Sequence, residues 1–256
     1  MFKAIRIGVL LLILFFVATN AWLTKARSTD WDNSLWVKIY PINVDGSDAT
    51  SRYIERLELR NFEEIEEFVA REAKRYGKEI ARPVRIELGH TINEQPPQLG
   101  EQPSMISVML WSMKMRWWVG SVTDEQDNIE PDVSIFVRYH RADDMPTLEN
   151  SVGVQKGMFG IVNAYTGRRY SGRNNVIIAH EFFHTIGATD KYEIGTGQPL
   201  APYGLAEPGR KPLYPQRYAE IMGGRVALAP DDAVIPKNLT FAVIGPLTAN
   251  EINLTD

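Results

Sequence analysis

The chain has 256 residues, 44% of them hydrophobic, enough for one substantial, two-lobed domain rather than two independent ones. Its 28 lysines and arginines against 32 acidic residues leave a net charge of -4, with no basic excess to attract phosphates, so no nucleic-acid partner is expected. The lack of cysteine excludes disulfides, thiolate nucleophiles and cysteine-ligated zinc, so any metal must be held by His, Asp or Glu.

After Lys3 and Arg6, residues 7 to 18 carry no charge, and Ala21, Trp22 and Leu23 extend the apolar run. Residues 1–27 therefore read as a signal or anchor segment. The uncharged stretch suits a signal-peptide core, whereas the run through Leu23 reaches the roughly 17–25 residues needed to span a bilayer. Thr19-Asn20-Ala21 is a poor cleavage site and Trp22 suits a membrane interface, so the expectation is an uncleaved single-pass membrane helix. The domain of residues 28–256 is then expected on the extracytoplasmic side, although Lys25 and Arg27 offset Lys3 and Arg6 as orientation signals.

Leu35, Val37 and Ile39 alternate with polar or aromatic neighbours, the period of a half-buried strand ending near Pro41. Asn61 and Glu64 have the spacing of a helix cap, and Phe62, Ile65, Val69, Ala73 and Tyr76 then share one helical face up to Gly77. Val84, Ile86 and Leu88 give a second strand and Val133 to Tyr139 a third, more apolar one. Between them, 91–103 is a Pro/Gln/Glu-rich loop. Ser104 to Trp118 has a pattern that fits a helix or a strand and is read as a helix whose Trp111, Met115 and Trp118 pack in the core. The acidic stretch 123–132 lacks the glycine-centred spacing of a calcium loop and is read as solvated. Met158 to Ala164 is an apolar strand, edge or interior. The N-terminal part therefore reads as a mixed α/β sandwich, and the fold class as α/β (α+β).

Asn174 to Ile186 reads as a helix opened by Asn caps and closed by Gly187, and it contains His180-Glu181-x-x-His184. Residues four apart share a helix face, so both imidazoles can reach one zinc ion while Glu181, one residue on, can take a proton from a zinc-bound water. By itself the five-residue pattern arises by chance often enough that its context must support it. Here that context is apolar: Val176, Ile177, Phe182, Phe183 and Ile186 are suited to burying the helix.

The full stretch is His-Glu-x-x-His-x-x-Gly-x-x-Asp, and here the chain resembles the metzincin clan of zinc peptidases. The resemblance implies that Gly187 turns the chain sharply, that Asp190 is the third ligand, and that Met222, in Ile221-Met222-Gly223-Gly224, forms a methionine turn beneath the metal. It also implies a twisted mixed sheet, an active-site helix, a smaller C-terminal subdomain and a border strand able to pair with extended peptides. Glu193, Glu207 and Glu220 are rival acidic ligands. The tyrosine that some members place two residues after the methionine is Gly224 here, leaving Tyr192 or Tyr218 as conceivable oxyanion donors. A Gly/Pro-rich loop between Asp190 and Met222 is long enough to shape a pocket.

The expected activity is zinc-dependent hydrolysis of peptide or protein substrates. Hydrolysis of a non-peptide amide rests on the same chemistry, and a non-catalytic, membrane-anchored zinc-binding or assembly protein is the rival from another class. The intact Glu181 argues against the last, because a structural zinc site needs no base.

Overall fold

The computed structural model describes residues 6–8, 11, 12, 15, 29–100, 104–123, 131–143, 151–154 and 157–255. Most of the expected anchor, 1–27, and most of the acidic stretch 123–132 lie outside the described residues. No helix among those described is long and apolar enough to cross a membrane.

Five strands, β1 (Leu35–Asn43), β2 (Val84–Leu88), β3 (Val133–His140), β4 (Val152–Val154) and β5 (Phe159–Tyr165), form one sheet in the order β2-β1-β3-β5-β4. The first four in that order run parallel, and β4 pairs antiparallel with β5. The strand expected over Met158–Ala164 is thus interior, and the short β4 is the border strand beside it.

Alternation along β1 feeds two cores. Leu35, Val37 and Ile39 enter one, and Tyr40 and Ile42 the other, as the pleat requires when both sheet faces are covered. Four helices accompany the sheet: α1 (Asp48–Ile54), α2 (Glu63–Arg75), α3 (Met105–Thr123) and α4 (Ser171–Thr185). Helices α2 and α4 contribute to the first core through Phe68, Val69, Ile178 and Phe183, whereas α3 covers the opposite face through Met115 and Trp118. Helix α1 leaves no periodic signature, because only Thr50 and Ile54 of its residues are buried.

Asn61 does not cap α2. Its Oδ1 turns back to accept from the Glu58 N–H, closing a 3-10 turn, and Glu64 instead accepts from the Leu239 N–H. A local turn thus claims Asn61 and a tertiary partner claims Glu64, the two side chains whose spacing resembles a cap. Within α3 only part of the expected core assignment is observed: Met115 and Trp118 are buried and Trp111 is partly buried, but much of the helix faces outward.

Beyond α4 the chain is irregular until β6 (Ala219–Glu220), β7 (Val226–Ala229), β8 (Asp232–Val234) and β9 (Ala242–Val243), then ends in α5 (Pro246–Glu251). Strands β6 and β9 pair parallel, and β7 and β8 antiparallel. Leu239, Ile244, Ala249 and Ile252 join the same core as α2 and α4. Buried Glu72 of α2 accepts from the Ile244 N–H at 2.9 Å and pairs with Arg71 and Arg75, fastening this segment to α2.

Candidate metal centre

Helix α4 begins at Ser171, three residues before the expected Asn caps, so Asn174 and Asn175 lie inside it. Both are buried. Asn174 donates to the Tyr165 carbonyl at 2.8 Å and accepts from the Tyr165 N–H, while Asn175 donates to the Asn61 carbonyl at 2.9 Å. These bonds hold the helix to β5 and to the turn before α2. At the other end the Ala188 N–H reaches the Phe183 carbonyl and the Gly187 N–H that of His184, with Gly187 at φ +110°. This is a Schellman ending, and its left-handed backbone favours glycine.

The turn delivers Asp190 to the two imidazoles. His184 Nε2 lies 3.1 Å from His180 Nε2 and 3.0 Å from Asp190 Oδ1, and His180 Nε2 lies 3.2 Å from the same oxygen. The other ring nitrogens are engaged: His180 Nδ1 is 2.9 Å from the Ile221 carbonyl, and His184 Nδ1 is 2.9 Å from the Ala188 carbonyl. A carbonyl only accepts, so each Nδ1 carries the hydrogen and each neutral ring turns an Nε2 lone pair towards Asp190. Three acceptors this close repel one another unless a proton or metal cation lies among them. Tetrahedral zinc with Zn–N and Zn–O bonds of about 2.0–2.2 Å would space its ligand atoms roughly 3.3–3.5 Å apart. The donor set fits zinc in type and number, and its atoms lie a few tenths of an ångström inside the spacing that a bound zinc would set.

The charges agree with this cation preference. Burial works against a proton on His180, but the Asp190 carboxylate, Glu181 and the Ile221 carbonyl raise its pKa above the ordinary value. Asp190, despite its own partial burial, is held well below the usual carboxylate range by the two histidines. Glu181 is buried, and its Oε2 has no hydrogen-bond partner. Burial pushes its pKa up, against the pull of His180 and His184.

Several supports were not legible beforehand. The segment carrying Asp190 is clamped by α5: Glu251 accepts from the Thr189 N–H at 3.0 Å and from Lys191 Nζ at 2.7 Å. Burial opposes ionisation of Glu251, yet Lys191 and Thr189 leave its pKa lowered. The turn that presents the Ile221 carbonyl is knitted by buried Glu220, which accepts from Gly223 N–H, Gly245 N–H and Thr248 Oγ1 at 2.7, 3.0 and 2.6 Å. Met222, in that turn, is fully buried. Glu220 is thereby occupied as a structural acceptor, Glu207 pairs with Arg217, and Glu193 accepts from Thr196. Of the four acidic residues weighed as third ligand, only Asp190 is brought to the histidines.

A cavity of about 500 Å³ opens beside His180 and Glu181, lined also by Tyr165, Tyr170, Arg173, Tyr192, Thr196 and Arg225. The Tyr192 ring lies 6.0 Å from that of His180, and burial together with the Asp190 and Glu181 charges pushes its hydroxyl up to about 12. Tyr192 is therefore a proton-bearing donor at neutral pH. Tyr218 is not among the cavity residues; its ring lies against Arg217.

Gly153 on β4 abuts this helix. A Cβ there would meet the His184 Cβ, and would lie 2.6 Å from the Glu181 carbonyl oxygen. Gly153→Ala is expected to force strand and helix apart, lowering stability by about 1–3 kcal/mol and weakening metal binding. Urea midpoints with and without added zinc measure both; an unchanged midpoint and affinity would show that the strand yields freely.

No protein-family model and no curated protein matches the chain. A solved structure of a chaperone–substrate complex is similar over 86% of this chain and 34% of its own, at 13% identity and a TM-score of 0.41. The chain spans about a third of that protein's length. At that level the likeness bears on neither activity nor ancestry.

Proposed function

We propose that the protein is a membrane-anchored zinc metallopeptidase of metzincin-like fold. The observation that carries the reading is the triangle of His180 Nε2, His184 Nε2 and Asp190 Oδ1 at 3.0–3.2 Å, with both Nδ1 atoms committed to carbonyls and a buried glutamate adjoining it. The metzincin assignment draws support from the left-handed Gly187, Asp190 three residues later, and buried Met222 in the turn whose carbonyl holds His180.

His180, His184 and Asp190 would hold the metal. Zinc, when bound, would polarise the scissile carbonyl and lower the pKa of water at the site. Glu181, kept from other hydrogen bonds at Oε2, takes the proton from the attacking water and passes it to the leaving amine. Tyr192, protonated at neutral pH and lining the cavity, would be the donor to a developing oxyanion. An extended peptide would pair with β4, which lies against the helix bearing Glu181, and side chains flanking the cut would enter the cavity.

Purified protein incubated with a mixed peptide library should cleave it, stop with a zinc chelator and recover when zinc is restored. A metal-loaded protein that leaves the library intact but cleaves small acylated amines would assign the non-peptide amidase instead. No turnover of either class would favour the non-catalytic zinc-binding role.

A further inference from the structure

We infer that helix α3 docks flat on the lipid bilayer, through an outward apolar face flanked by Lys114 and Arg116. The inference rests on the proposed N-terminal anchor and adds a second, interfacial contact to it.

The sequence of α3, Met105–Thr123, is apolar around most of its circumference, with Lys114 and Arg116 its only charges. Such an apolar surface is normally covered. Here the sheet covers only one: Met115 and Trp118 pack against Phe136 and Tyr40, while Met105, Ile106, Met109, Leu110, Met113 and Trp117 are 91%, 68%, 58%, 50%, 63% and 78% exposed. At about 100° per residue, Ile106, Met109, Leu110, Met113 and Trp117 fall within an arc of roughly 100°. The exposed cations Lys114 and Arg116 stand on its two sides, and the helix contains no acidic residue.

Three features choose a bilayer as the occupant. First, a large apolar face with tryptophan and flanking Lys and Arg suits the headgroup boundary, where the aliphatic stems lie in hydrocarbon and the charges meet anionic lipid. Second, no described helix is apolar enough to span, so α3 can lie on a membrane but not cross it. Third, the apolar run ends at Leu23 and β1 begins at Leu35. Trp31 is buried with its Nε1 donating to the Ile252 carbonyl, so the seven residues 24–30 reach at most about 23–25 Å and an anchored domain stays within contact distance of the lipid. Because the sheet separates α3 from α4, docking would turn the histidine cluster away from the bilayer, towards substrates in the aqueous phase.

The chain has no native cysteine, so Met113→Cys supplies a unique labelling site. The full chain carrying a fluorophore there is reconstituted into phosphatidylcholine vesicles with and without phosphatidylglycerol. Quenching by acyl-chain nitroxide lipids is compared with quenching by aqueous iodide. Leu12→Cys reports the anchor, and Arg56→Cys an exposed site on α1's side of the molecule. Lipid quenching at position 113 at least about fivefold above that at 56, strengthened by phosphatidylglycerol and reduced severalfold by Lys114→Gln with Arg116→Gln, is the expected result. Lipid quenching at 12 with iodide quenching at 113 would overturn the inference and leave the anchor standing. Iodide quenching at both would overturn both. A label at 113 shielded from both quenchers would overturn it in favour of a protein surface covering the helix.

Discussion

Glu181→Gln is expected to retain zinc and to lose about 10²- to 10⁴-fold in turnover, the contribution usual for a positioned general base. The substitution is isosteric, and Oε2 has no hydrogen-bond partner to lose. It removes the one group beside the cluster able to take a proton, while the histidines and Asp190 keep their own supports at Ile221, Ala188 and Glu251. The amide also ends the burial of a charge that α4 must otherwise accommodate next to His180 and His184, so stability should hold or rise slightly. Initial rates on a fluorogenic peptide found in the library, paired with elemental analysis of the same preparation, measure both quantities. Equal turnover would point to another base; loss of metal together with activity would make Glu181 a structural support.

Asp190→Ala is expected to weaken zinc affinity by at least the roughly 10- to 100-fold seen when lesser, supporting contacts are removed, whereas Glu193→Ala leaves it unchanged. Geometry separates the two residues. Asp190 Oδ1 lies 3.0 and 3.2 Å from the two Nε2 atoms, at the tip of a segment held on either side by Thr189 and Lys191 through Glu251. Glu193 is only three residues on, but its carboxylate accepts from Thr196 at 2.7 Å. Removing Asp190 also leaves two neutral imidazoles without the nearby negative charge that offsets a dication. Titration of both variants against a competing chelator, in the intact chain, gives the comparison directly. Unchanged affinity in the Asp190 variant would remove the third ligand and the metzincin assignment with it, leaving a two-histidine site.

Local chemistry made part of this site readable from residues alone. His180 and His184 share a face because helical spacing is the same in every helix, and Gly187 marks the helix end because a left-handed residue is needed there. The alternations at Leu35–Ile39 and Val84–Leu88 identify strands for the same reason: the period of two follows from the pleat, whatever the strand packs against.

Where partners outside the helix competed, local preference misled. Asn174 and Asn175 favour caps, yet Tyr165 and Asn61 satisfy them inside the helix, and Asn61 itself serves Glu58. The tautomers of the two histidines depend on the Ile221 and Ala188 carbonyls, and Ile221 lies 41 residues from His180. The choice among Asp190, Glu193, Glu207 and Glu220 likewise rests on which carboxylates Arg217, Thr196 and Thr248 have already taken. Composition identifies α3 as apolar without saying which side the sheet covers, because that is set by the crossing of the helix over Tyr40 and Phe136. The residues by themselves thus determined four of the five sheet strands, the helix bearing His180, Glu181 and His184, and the turn after it, all products of short-range geometry. The tertiary structure alone decided the orientation of the His180 ring, the engagement of Glu207 and Glu220 elsewhere, the Gly153 contact and the outward face of α3, since each depends on groups that only folding brings together.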